Sequence, residues 1–271
     1  MRTDLARRLF VTAAEIFCVV GTLVGTGVIG TRVAESSGGA LSADATLIAP
    51  LGTAFSIWSV IYLGLFAYTI WQWLPRVATT ARERRIGWLA GITMILNAVW
   101  LLVTQVGWIW VSVLVILALA VTLGILVKRL RENPGTKPLG KLIVDGTFGL
   151  YLGWVTAATC ANIAAAGSAT GWGSGRSTDE WIAVTVMAVA VVLSAVYVAV
   201  LGPRFAVAAG IAWALVWISV GRLTDEPASQ LVGIAAAVLS AAVLVIWAVG
   251  RARLSRSPRD QRSVEREPAY S

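Results

Sequence analysis

Eight runs of roughly twenty apolar residues, the length that carries a helix across a bilayer, divide this chain. They cover about 9–31, 52–74, 86–106, 108–127, 142–166, 181–201, 205–221 and 229–250, with polar segments between most of them. Only Val106 and Gly107 part the third run from the fourth, which predicts a tight helical hairpin. No series of roughly ten-residue alternating segments appears, as a membrane barrel would require. In lipid the backbone must satisfy its own polar groups, so long apolar runs predict helices throughout. The expected fold class is an all-α integral membrane protein with about eight transmembrane helices.

The charges support that count. Of the 22 Lys and Arg residues, all but Arg32, Arg176 and Arg222 fall on one side when the N-terminus is placed inside. They occupy the N-terminal segment, the loops after the second, fourth and sixth spans, and the tail. Such a bias marks the cytoplasmic face. Both termini are therefore expected in the cytoplasm, in a multi-pass protein of the plasma (inner) membrane. Composition agrees: 58% of residues are hydrophobic and 13% charged, against roughly a quarter charged in soluble domains. The net charge of +8 then reflects basic loops facing lipid headgroups, and no nucleic-acid partner is expected.

Arg2, Arg7 and Arg8 before an apolar run also fit a cleavable leader. The run is long for that, however, and carries Glu15, and the nearest A-x-A, Ala43-Asp44-Ala45, lies far past its end. The first span is expected to be retained. Segment 32–50, rich in Ser, Gly and Ala, reads as an outside loop with little structure of its own. Segment 251–271 reads as a basic, disordered cytoplasmic tail.

Histidine is absent, which removes the commonest general base, metal ligand and haem ligand together. Cys18 and Cys160 sit inside apolar runs and read as small buried hydrophobes. No phosphate-binding loop, zinc-hydrolase helix, nucleophile elbow, CxxC or dinucleotide fingerprint is present. The chain is thus not expected to be an enzyme, to bind a metal, or to require a cofactor.

Thirteen tryptophans stand out. Trp71, Trp73, Trp88, Trp108, Trp110, Trp172 and Trp181 lie near span ends and fit interfacial belts. Trp58, Trp100, Trp154, Trp213, Trp217 and Trp247 lie deeper or are ambiguous; each is either packing or part of a stacking surface, since a buried indole packs well but its N–H wants a partner. Asn97, Asn162 and Glu15 are polar groups within spans, where such groups face the bundle interior. Interhelical hydrogen bonds, worth about 0.6 kcal/mol each, are the alternative to a binding role. Asp145, near the start of the fifth span, suits a helix N-terminus.

Spacing groups some of these residues. Trp58 and Tyr62 share a helix face, as do Asn97 and Trp100. Trp154, Ala158 and Asn162 form an i, i+4, i+8 row that offers an aromatic plate, a gap and an amide. The row suits either a pocket wall or a close helix contact. Gly21 and Gly25 form a GxxxG motif that favours close helix approach, within the chain or in a homodimer.

Three clusters together resemble the tryptophan-rich sensory protein family, also called the translocator protein or peripheral benzodiazepine receptor family. Pro50-Leu-Gly-Thr-Ala-Phe-Ser-Ile-Trp58-Ser-Val-Ile-Tyr62 is similar to its second-helix signature, Leu96-Asn97-Ala98-Val99-Trp100 to its third, and Tyr151-Leu-Gly-Trp154-Val-Thr-Ala-Ala-Thr-Cys-Ala-Asn162 to its fifth. The resemblance implies a five-helix unit over residues 9–166, with three additional helices over 181–250. It also implies a pocket between helices for porphyrins and other flat hydrophobic molecules, sterols among them. Trp58 and Trp154 would be its aromatic walls, Ala158 the residue that makes room, and Asn97 a polar contact. Tyr62, Trp100 and Asn162 would lie in or just behind the pocket. The expected function is a membrane-embedded binding or sensory protein, a receptor for such ligands. A transporter, an enzyme degrading a bound tetrapyrrole, and a membrane scaffold stand as alternatives.

Overall fold

The computed structural model describes residues 2–172 and 175–264, and every regular element among them is helical. The principal helices are α1 (Arg2–Gly25), α2 (Ile57–Trp71), α3 (Ala81–Gln105), α4 (Ile109–Glu132), α5 (Thr147–Ala169), α6 (Arg176–Leu201), α7 (Phe205–Thr224) and α8 (Gln230–Val264). A 3-10 turn, Gly52–Ser56, leads into α2, and a π-helical segment, Lys141–Gly146, leads into α5. With these lead-ins, eight segments among the described residues are long and apolar enough to cross a membrane. The chain is an all-α, multi-pass membrane protein. The Val106–Gly107 hairpin is present, and Gly107 takes φ +74°, a left-handed conformation that glycine adopts without steric cost.

Two ends differ from the sequence expectation. α1 begins at Arg2, well before residue 9, because its first turns have partners. Arg84 grips the Asp4 carboxylate with two bonds of 2.8 and 2.9 Å, and buried Arg7 donates to the Ala78 carbonyl at 2.5 Å. At the other end, α8 continues as helix to Val264 where a disordered tail was expected from 251. Arg251, Ala252, Arg253 and Leu254 are good helix formers and prolong the preceding span. Residues 265–271 of that expected tail lie outside the described residues.

α5 and α7 form the centre. About two thirds of α5's most apolar window is buried (67%) and nearly as much of α7's (61%), against 22% for α6 and 28% for α8, which lie on the lipid side. α1 packs on α3, α3 on α4, α4 on α5, α5 on α7, α7 on α8 and α8 on α6, while α2 leans on α5 and α1. One buried apolar cluster runs through residues of both the first five helices and the last three. The GxxxG face of α1 is spent inside the chain. A Cβ at Gly21 would sit 2.9 Å from the Ala98 Cα, and one at Gly25 would sit 2.4 Å from Leu101.

A close crossing joins α5 to α7. A Cβ on Gly153 would lie 2.2 Å from the Val207 carbonyl oxygen, and one on Gly210 would lie 2.7 Å from the Trp154 amide nitrogen. The two backbones touch because neither residue has a side chain. At the end of the bundle that carries the basic loops, Asp145 joins α3 to α7 through α5's lead-in. Its two oxygens accept from Arg82 at 2.5 Å and Arg204 at 2.8 Å. The sequence reading of Asp145 as a helix-terminus charge missed this role, since both partners are about sixty residues away.

Gly153→Ala is expected to lower the thermal midpoint in detergent by roughly 5 °C, the scale of an overpacked core. Gly124→Ala, where a Cβ meets nothing within 4 Å, should leave it unchanged or raise it; equal behaviour of the two would refute the contact. Asp145→Asn leaves two half-buried arginines without their shared carboxylate. It should cost about 2 kcal/mol, read as a lowered unfolding midpoint.

Candidate functional site

A narrow cavity of about 50 Å³ lies between α3, α5 and α7 at the end opposite the basic loops. Trp100 of α3 and Trp154 of α5 supply its indoles. Ala157, Ala158, Ala161 and Ala165 recur along one side of α5, so that wall has no bulk, and Asn162 lies among them. The roof is the α1–α2 connection, from Val33 to Pro50, followed by Phe55; Ala214 of α7 closes the side. The lining is almost wholly apolar.

Sequence reasoning named seven residues. Trp100, Trp154, Ala158 and Asn162 line the cavity. Trp58, Tyr62 and Asn97 do not line it but stand behind Trp154. Phe55 meets the Trp154 ring edge-on at 5.7 Å, and Trp58 meets it from another side at 6.2 Å. Trp58 in turn stacks on Tyr62 at 5.2 Å with 17° between planes. Asn97 donates to the Tyr62 hydroxyl at 3.0 Å and lies 3.4 Å from the Cys18 sulfur. The expected amide contact is thus a brace between α1, α2 and α3 that holds an aromatic row in place. Phe55 and Trp58 fix the attitude of the Trp154 ring by edge-to-face packing, worth about 1 kcal/mol per pair.

Asn162 is engaged as well. Its Nδ2 donates to the Ser112 hydroxyl at 2.9 Å, which ties α5 to α4. The unmet polar groups are elsewhere. Trp100 and Trp154 are 7% and 1% exposed, and neither indole N–H has an acceptor in the protein. The Thr46 hydroxyl in the roof is also unpartnered. Buried donors are normally paired, so three unmet donors around one cavity are a local surplus.

The roof was expected to have little structure of its own. It has only a short 3-10 turn, Ser37–Gly39, yet Ile48, Ala49 and Pro50 are buried under it. α7 holds it down. Arg222, 1% exposed, donates to the carbonyls of Ala43 at 3.0 Å and Thr46 at 3.2 Å. Trp213 donates to the Ala54 carbonyl at 2.9 Å, and the Leu51 amide donates to the Trp217 carbonyl at 3.3 Å. Between these anchors, Ser42 donates to Asp44 and holds that carboxyl below its usual range. Sequence reading missed Arg222. Its signal was that of a lone cation at the outer end of an apolar span.

A bundle of eight membrane-spanning helices, with a capped apolar cavity opposite its basic end, defines a class of multi-pass membrane protein with an interhelical pocket. The chain belongs to the TSPO-like protein family, whose model matches residues 10–249. The match runs through α6, α7 and most of α8, beyond the stretch covered by the signature motifs. No curated protein and no solved structure matches the chain.

Arg222→Ala should release the roof without unfolding the bundle. Amide exchange over residues 42–50 is expected to speed up by on the order of tenfold, with α5 and α7 unchanged. Unaltered exchange in the roof would show that the arginine carries no part of its anchoring.

Proposed function

We propose that this protein binds a flat hydrophobic molecule within the membrane, in the cavity walled by Trp100 and Trp154. The single observation that supports it is a narrow apolar space between a bare alanine wall and two indole rings, which has to widen to admit a ligand. Small-molecule sites are concave and mostly apolar, with a few fixed polar groups, and this cavity has that character. Flat ligands gain from stacking on aromatic faces, and an alanine row leaves a slot and not a globular hole. Binding in such a site needs no catalytic step, and a sensory role would follow from ligand-dependent ordering of the roof. Tetrapyrroles are the ligand class implied by the family resemblance, and the cavity is proposed for flat hydrophobic ligands more broadly.

The orientation is part of the reading. The basic loops and both termini face the cytoplasm by the positive-inside bias, which puts the roofed cavity toward the outer side of the plasma membrane.

The test is an anthracene titration of the detergent-purified protein beside Ala158→Trp, which fills the slot. Saturable binding in the first and its loss in the second, with helical content equal by circular dichroism, is the expected result. The same non-saturating signal in both would mean that the probe only partitions into detergent, and the binding reading would fall.

A further inference from the structure

Another cavity, of about 230 Å³, lies at the end of the bundle that carries the basic loops, where the α2–α3 loop meets the connection from α4 to α5. We propose that it binds the headgroup of an acidic phospholipid, with Arg76 and Lys137 holding the phosphate. It stands apart from the interhelical cavity and does not rest on the binding reading above.

The walls are built by packing. Residues 134–137 of the α4–α5 connection form one side, and that connection is docked on the bundle at several points. Arg82 of α3 donates to the Asn133 carbonyl at 3.0 Å. A Cβ on Gly135 would sit 2.6 Å from the Arg82 Nη1, and one on Gly140 would sit 3.0 Å from the Trp71 ring. The chain therefore lies directly on both side chains, which residues with side chains of their own could not do. Arg82 is itself fixed by Asp145.

The lining holds three cations and one carboxylate. Arg82 is met by Asp145, and the carboxylate, Glu83, is 1% exposed and accepts from the Tyr68 hydroxyl at 3.0 Å. Arg76 and Lys137 are different. They come from separate loops, both are exposed, and neither has an acidic partner among the described residues. Other arginines at this end are spent on the protein: Arg84 on Asp4, Arg129 on the Arg85 carbonyl, and Arg131 on the Ala199 and Val200 carbonyls. Two uncompensated like charges around one space repel each other, and an anion between them turns that repulsion into attraction.

Position favours a lipid over a soluble anion. Leu139 stands in the chain between Lys137 and Gly140, and it is exposed, as are Leu74 and Leu142. Exposed leucines beside exposed cations, with the Trp71 indole among them, mark the level where acyl chains give way to headgroups. Basic pockets between membrane helices suit anionic headgroups, and each nearby Lys or Arg adds to the attraction. A zwitterionic headgroup carries its own cation into the same space and gains less. An acidic one brings negative charge without that offset.

The test is native mass spectrometry of the full-length protein in detergent, with phosphatidylglycerol and phosphatidylcholine of the same acyl chains added in equal amounts. The phosphatidylglycerol adduct should be at least about fivefold more populated. Arg76→Gln with Lys137→Gln should abolish that preference. Arg85→Gln with Lys128→Gln removes the same charge from exposed residues outside the lining and should keep it. An unchanged phosphatidylcholine adduct in both double variants shows that they remain folded. No preference in the unaltered protein would overturn the proposal. Equal loss in the two double variants would overturn it as well, because the attraction would then belong to the basic face as a whole. Displacement of phosphatidylglycerol by inorganic phosphate at the lipid's own concentration would make the occupant a soluble anion and overturn the assignment to a lipid.

Discussion

The structure depends on one contact between bare backbones, where α5 crosses α7 at Gly153 and Gly210. Lipid gives apolar helices little reason to associate, so close van der Waals approach at small residues has to supply much of the attraction. Here the approach does more than join two helices. Trp154 follows Gly153 directly, so the crossing sets where that indole stands. From the same crossing α7 runs outward to Trp213, Trp217 and Arg222, the residues that hold the start of α2 and the roof. A wider crossing would move the wall and the roof apart together. α7 is therefore a structural part of the cavity, in keeping with a family match that runs through it.

The polar groups in the bundle divide into those that brace and those that wait. Asn97 with Tyr62, Asn162 with Ser112, and Thr156 with Tyr197 at 3.1 Å each tie one helix to another. At the basic end the Arg82–Asp145–Arg204 bridge and the Asp4–Arg84 pair do the same with full charges. These pairs pin the ends of α1, α3, α5 and α7, so the helices have little freedom to slide. The two cavity indoles are the contrast. Their rings are as well packed as any brace, and their N–H groups are unspent.

The eight spans were legible in the sequence because a bilayer leaves so few alternatives: long apolar runs must be helices, and charge bias fixes their order. Four of the seven candidate residues line the cavity, and Trp154, Ala158 and Asn162 do so from one helix stripe. Trp58, Tyr62 and Asn97 belong to the same motifs but turn toward one another behind Trp154, and helical periodicity alone cannot say which of two helices a face meets. The roof was illegible for another reason. Residues 33–50 have no periodicity, and what orders them is an arginine some 180 positions away in the chain. Asp145 was misread similarly, since a local rule explained a carboxylate whose partners are remote.

Such a division has a consequence for how occupancy can be felt outside the cavity. The roof is held through its backbone: the carbonyls of Ala43 and Thr46 accept from Arg222, and the Leu51 amide donates to the Trp217 carbonyl of α7. Its own side chains contribute few bonds, and Thr46, which lines the cavity, has a free hydroxyl. A ligand beneath it would add contacts to a segment that α7 holds at Ala43, Thr46 and Leu51 and that Ser37 ties to the Thr104 carbonyl. Rigid helices on three sides leave that segment as the surface able to respond. A change in its order would appear at the end of the bundle opposite the basic loops, without any movement of the α5–α7 crossing. Under the binding reading proposed above, the constraint that builds the cavity would confine a response to occupancy to the roof.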